Sequence, residues 1–190
     1  RLLAAACLDP QRDGFQIGPV PAAIGSSVNF GLTAAQALED RAIDGFWANG
    51  MAAELAISGG YGSLVLDVRR GDGPVGCFDY TMGVLATTER LIEQSPDIAA
   101  AAVRALVAAQ NALRADPSRA TAAATRRFPP RETGLIARIV ERDLPFYNAT
   151  ISEPSVTAIN DFARWLGILN DDVPWSDVVA TQLSRFWHGT

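Results

Sequence analysis

Apolar positions along the chain follow two rhythms, and the change falls near Pro74. Before it, short apolar runs alternate with helical spacing. "FQIGPV", "AIDGFWA" and "SLVLDVR" have the length of buried strands, and the last has their branched residues. Between them, "TAAQALEDRA" repeats apolar residues at helical intervals, with Thr33 placed to cap its start. "GMAAELAISGG" does the same and ends in glycines suited to closing a helix. Strand, helix, strand, helix, strand on short connections predicts a parallel sheet with right-handed crossovers.

Beyond Pro74, "CFDYTMGVLATT" reads as one more strand, and helical spacing then takes over. "SPDIAAAAVRALVAAQNALRAD" starts with Ser95 as cap and Pro96 at the first helical position. Its expected inward face is Ile98, Ala102, Leu106, Ala109 and Leu113. Asp116-Pro117 starts a shorter helix, and Pro129-Pro130 introduces one carrying Leu135, Ile136, Ile139 and Val140. Ser152 caps a fourth, with Val156, Ile159, Ala163 and Leu166 inward and Gly167 closing it. "WSDVVATQLSRFW" is a fifth. One strand is too little sheet for five helices, so these are expected to pack on strands outside this chain.

Composition narrows the function classes. With 190 residues and 48% hydrophobic content the chain can bury a core. Its net charge is -5, and all sixteen basic residues are arginines with no basic run. Nucleic acid and anionic membranes are therefore not the expected partners. Cys7 and Cys77 stand far apart; they are read first as small apolar fillers, with pairing open in an oxidising compartment. Six residues precede Cys7, too few for the apolar centre of an export signal, and Ala4 stands where a lipidation box wants leucine. "RLLAAACLDP" is thus expected to be the end of a helix, stopped by Asp-Pro, inside a longer protein.

Catalytic machinery is hard to assemble from these residues. "GDGPVG" spells a dinucleotide fingerprint at Gly71, Gly73 and Gly76, but Pro74 and a β-like run replace the helix that would hold a pyrophosphate. The single histidine, His188, lies near the end behind two aromatics, and no nucleophile elbow or metal-spaced cluster occurs. Asp171-Asp172 reads as solvated surface. No cofactor and no catalytic residue are expected.

A binding argument remains. Ligands of open parallel sheets settle beyond the carboxyl ends of the strands. "PVPAAIGSSVNFGLT" and "FWANGM" leave two such ends, which puts Trp47 and Asn49 at the lip of a crevice. An indole there can stack on a flat ligand, and an asparagine can both donate and accept. Successive strand residues face opposite ways, so one of Phe46 and Trp47 belongs to the core. Arg69 and Arg70 end the third strand, where an arginine could meet an anion or pair with Asp67 or Asp72. Tyr80 could reach the same crevice.

"AQALEDRAIDGFWANGMAAELAISGGYGSLVLDVRRGDGP", followed by "YTMGVLATTERLIEQSP" and the alanine-rich helix, resembles the substrate-binding proteins of ABC importers. The nearest group is the nitrate/sulfonate/taurine and thiamine-precursor class. The likeness covers nearly the whole chain; its opening matches a helix ending "AAGLDP", with Cys7 in the place of the glycine. The resemblance implies an α/β, type II periplasmic-binding-protein-like fold whose N-terminal part lies outside this chain. Residues 1–75 would form most of the second lobe, and 76–190 a crossing strand and the helical returning part of the first. It also implies ligand contacts at Asn29, Phe30 and Thr33, besides Trp47 and Asn49.

The function expected on this basis is capture of a small anionic or heteroaromatic solute in the periplasm and delivery to a membrane permease, without turnover. An enzyme on the same scaffold, as in thiamine-precursor synthesis, would need histidine or cysteine chemistry. A ligand-sensing domain of a transcription regulator would need a DNA-binding head. Both stay open as alternatives.

Overall fold

The structure, a computed structural model, describes residues 2–20, 30–48, 50–73 and 83–188. Ten α-helices occur among them: α1 (Leu2–Ala5), α2 (Pro10–Asp13), α3 (Phe30–Glu39), α4 (Gly50–Ser58), α5 (Glu89–Gln94), α6 (Pro96–Ala115), α7 (Ser118–Ala124), α8 (Pro130–Asp143), α9 (Glu153–Trp165) and α10 (Trp175–Val178). Short 3-10 turns cover Val68–Arg70, Leu144–Phe146 and Thr181–Phe186.

The expected α/β architecture is not seen: 61% of the described residues are helical, and no strand occurs among them. Residues 15–20, 43–48, 62–67 and 83–88 carry the strand-like patterns, and they run without regular structure or ladder pairing. The remainder of "CFDYTMGVLATT", residues 77–82, lies outside the described residues. A strand is completed only by a neighbour that satisfies its backbone, and these segments are poor neighbours for one another. Pro19 lacks a donor, and Gly18 and Gly45 weaken what a strand interior would pack. Val65, central in the most strand-like run, is 95% exposed.

The chain divides into two compact units, each discontinuous in sequence. The first joins Arg1–Asp67 to Asp116–Pro145; the second joins Val68–Ala115 to Phe146–Thr190. In the first unit α3 and α8 both pack on α4. Ala35, Leu55 and Leu135 form its centre, and Leu32, Phe46, Met51, Tyr61 and Ile139 close around them. Small residues on α3 and α4 let these helices approach closely. At the end of α4 the Gly60 backbone turns left-handed (φ 75°), and the Tyr61 and Gly62 amides both donate to the Ala56 carbonyl. The expected glycine stop is therefore found. The expected cap of α3 is not, because Thr33 lies inside a helix that begins at Phe30.

An ion-pair cluster ties α4 to α8. The Glu54 carboxylate takes Arg138 at 3.0 Å and Arg142 at 3.4 Å, and Arg142 also reaches Asp143 at 2.9 Å. The Arg142 guanidinium lies close against the start of α4, where a Cβ on Gly50 would be 2.5 Å from its Nη2 and would displace that movable side-chain end.

In the second unit, α6 packs on α5 and on the Thr181–Phe186 turn. Ala99, Ala100 and Leu183 are its buried centre, joined by Ile92, Val103, Ala180 and Phe186. The packed side of α6 is thus not the expected one. Ile98 is 61% exposed and Leu106 43% exposed, while Val107 is buried. On α9, Ile159 and Leu166 are likewise exposed and Ala158 and Asn160 are buried. The starts of these helices follow the sequence: Pro96 opens α6 directly after Ser95, and Ser152 Oγ accepts the Ser155 amide at the head of α9. Gly167 (φ 73°) ends α9. The fifth helix is shorter than expected, since Val179 turns extended after α10 and a 3-10 turn completes the run.

At the opening, α1 ends at Ala5, but not through Asp-Pro as expected: Asp9 caps and Pro10 opens α2 instead. Cys7 adopts the left-handed conformation (φ 56°), and its amide donates to Ala4. Its side chain is exposed and free, so the reading of Cys7 as a buried filler is corrected; Cys77 lies outside the described residues.

Candidate functional site

Asn29, Asn49 and Tyr80 lie outside the described residues, as does the side chain of Phe30, whose backbone opens α3. Thr33 is half-buried on α3. Trp47 is 63% exposed, and its neighbour Phe46 packs on the core of the first unit. The two aromatics therefore divide as strand-like alternation requires, although no sheet occurs among the described residues. The core holds Phe46, and the next residue presents an indole to solvent three residues before α4 begins.

Arg70 belongs to the second unit. It ends the Val68–Arg70 turn, exposed, with no ion-pair partner among the described residues. Arg69 instead lies with its guanidinium 5.7 Å from the centre of the Phe146 ring. Gly71 (φ 82°) and Gly73 (φ 94°) follow in left-handed conformations, and the rest of the glycine-rich stretch, 74–76, lies outside the described residues. His188 is exposed, and no group of three or more metal-ligating side chains is placed to hold an ion among the described residues.

A concavity occurs elsewhere, wholly within the second unit. It is an open groove of about 390 Å³ between the first half of α9 and the segment from Asp172 to Ser176. Glu153, Val156, Thr157 and Asn160 form one wall. The loop side exists because Asn160 binds it: Asn160 Nδ2 donates to the Val173 carbonyl at 2.8 Å, and the Val173 amide donates to Asn160 Oδ1 at 3.3 Å. Trp175 is fixed in turn by its indole N–H, which donates to the Ile151 carbonyl at 2.9 Å.

The charges around the groove are largely committed. Arg164 reaches Asp161 at 2.5 Å and Asp172 at 2.9 Å, so Asp172 belongs to a surface pair rather than to plain solvated surface. Glu153 sits in the first turn of α9, where a carboxylate is stabilised by the helix dipole. Chemically, the groove is a mixed and mainly polar surface, in which Val156, Val173, Pro174 and Trp175 alternate with Glu153, Asn160 and Asp172. It holds no nucleophile–base pair.

Of the seven residues expected from sequence, Thr33, Trp47 and Arg70 have described side chains, and none of these three lines the groove. The residues that build it left one signal in the sequence. Asn160 interrupts the otherwise apolar side of α9, and a polar residue in such a place needs a partner when buried. No family model, no curated protein and no solved structure matches the chain.

Proposed function

We propose that this chain is the solute-capturing component of an ABC-type importer. It acts in the periplasm, holds a small anionic or heteroaromatic solute, and passes it unaltered to a permease in the membrane. The observation that carries this reading is Trp47, a large indole exposed beside a core-anchored Phe46 within the "IDGFWANGM" stretch on which the family resemblance rests. An exposed indole offers a flat apolar face with one donor, which suits a flat heteroaromatic ring.

The test is a titration of the protein with nitrate, taurine and an aminopyrimidine, followed by thermal melting and by analysis of the recovered compound. One of the three should bind saturably and be recovered unchanged. At about a hundred times its Kd it should add about 2.7 kcal/mol of stability. Trp47→Ala should weaken that binding by about tenfold or more and alter stability by no more than about 0.5 kcal/mol, as expected of an exposed side chain. Unchanged affinity in the variant, or conversion of the compound, would overturn the reading.

A further inference from the structure

We draw no further inference here: the strongest candidate, the open groove between the first half of α9 and the Asp172–Ser176 segment, has its two carboxylates accounted for by the α9 N-terminus at Glu153 and the Arg164 pair at Asp172, and nothing else among the described residues points to a ligand there.

Discussion

The side chain of Asn160 replaces a missing backbone partner for Val173, accepting from its amide and donating to its carbonyl thirteen residues away. Asn160 is 7% exposed, so these bonds form largely out of water. Removing the amide by Asn160→Ala leaves two backbone groups of the loop without their partner, at a cost of about 1–3 kcal/mol. Asn160→Asp should be no milder, because a carboxylate would face the Val173 carbonyl. Chemical denaturation of the two variants checks the claim. Both matching the parent protein in stability would show that the loop does not depend on this residue.

Gly62 tests the packing of the first unit. A Cβ at this position would meet the Ala56 Cβ at 2.8 Å and Leu38 Cδ2 at 3.2 Å. The alanine methyl has no rotamer to escape into, so relief must come from the backbone that closes α4. Gly62→Ala should cost about 1–3 kcal/mol, the range for overpacking. Restricting the unfolded chain would push the other way by less than about 1 kcal/mol. A variant that melts at or above the parent temperature would mean that α3 and the end of α4 are looser than this contact implies.

How much of this was readable beforehand depends on how far each residue reaches. α6, α8 and α9 begin where Pro96, Pro130 and Ser152 put them, because proline and capping side chains act on amides one to three residues away. The packed face of α6 was not readable. Alanine is so frequent there that the apolar arc spans the expected Ile98–Leu106 side and the adjacent Val103–Val107 side alike. Periodicity marks both, and only the Thr181–Phe186 turn, far away in sequence, selects the second. The strand-like runs failed for a related reason. Val65, branched at Cβ, favours an extended backbone, but a sheet also needs a neighbour in register, and no local pattern supplies one. At the candidate sites the contrast repeats. The split between Phe46 and Trp47 is a rule about adjacent residues and was legible, whereas the groove rests on Asn160 finding Val173.

Acid should loosen the start of α7. The Ser118 hydroxyl donates to Asp116 Oδ1 at 2.6 Å and the Ser118 amide donates to it at 3.0 Å. These bonds, the hydroxyl first, hold the Asp116 carboxyl below its ordinary value, with Arg119 adding a smaller attraction. A carboxylate whose folded pKa is depressed supports the fold fully above its unfolded value, near 4. That support disappears as pH falls through the folded value. Protection of the Ser118–Ala124 amides, taken relative to the intrinsic exchange rate at each pH, should therefore fall below about pH 4, and Asp116→Asn should remove the dependence while keeping an acceptor oxygen. A carboxyl titration of Asp116 at or above the ordinary aspartate value would contradict this.

Cys7 occupies a backbone conformation that glycine adopts without strain. With φ at 56° its Cβ crowds the following carbonyl, a cost of about 1–2 kcal/mol for an L side chain. The conformation is held by the stop of α1, where the Cys7 amide donates to Ala4 at 3.0 Å and the Leu8 amide to Leu3 at 2.8 Å. Arg12 also donates from its guanidinium to the Cys7 carbonyl, while the N-cap Asp9 starts α2 through the Gln11 and Arg12 amides. Cys7→Gly relieves the crowding but frees the unfolded chain, which takes back about 0.4–1 kcal/mol. The net expectation is protein stabilised by up to about 1 kcal/mol, with slower amide exchange at Cys7 and Leu8. Cys7→Val, branched at Cβ, should move both readouts the other way. If Gly and Val behave alike, the left-handed turn is not what ends α1, and the alignment of Cys7 with the glycine of "AAGLDP" loses its physical basis.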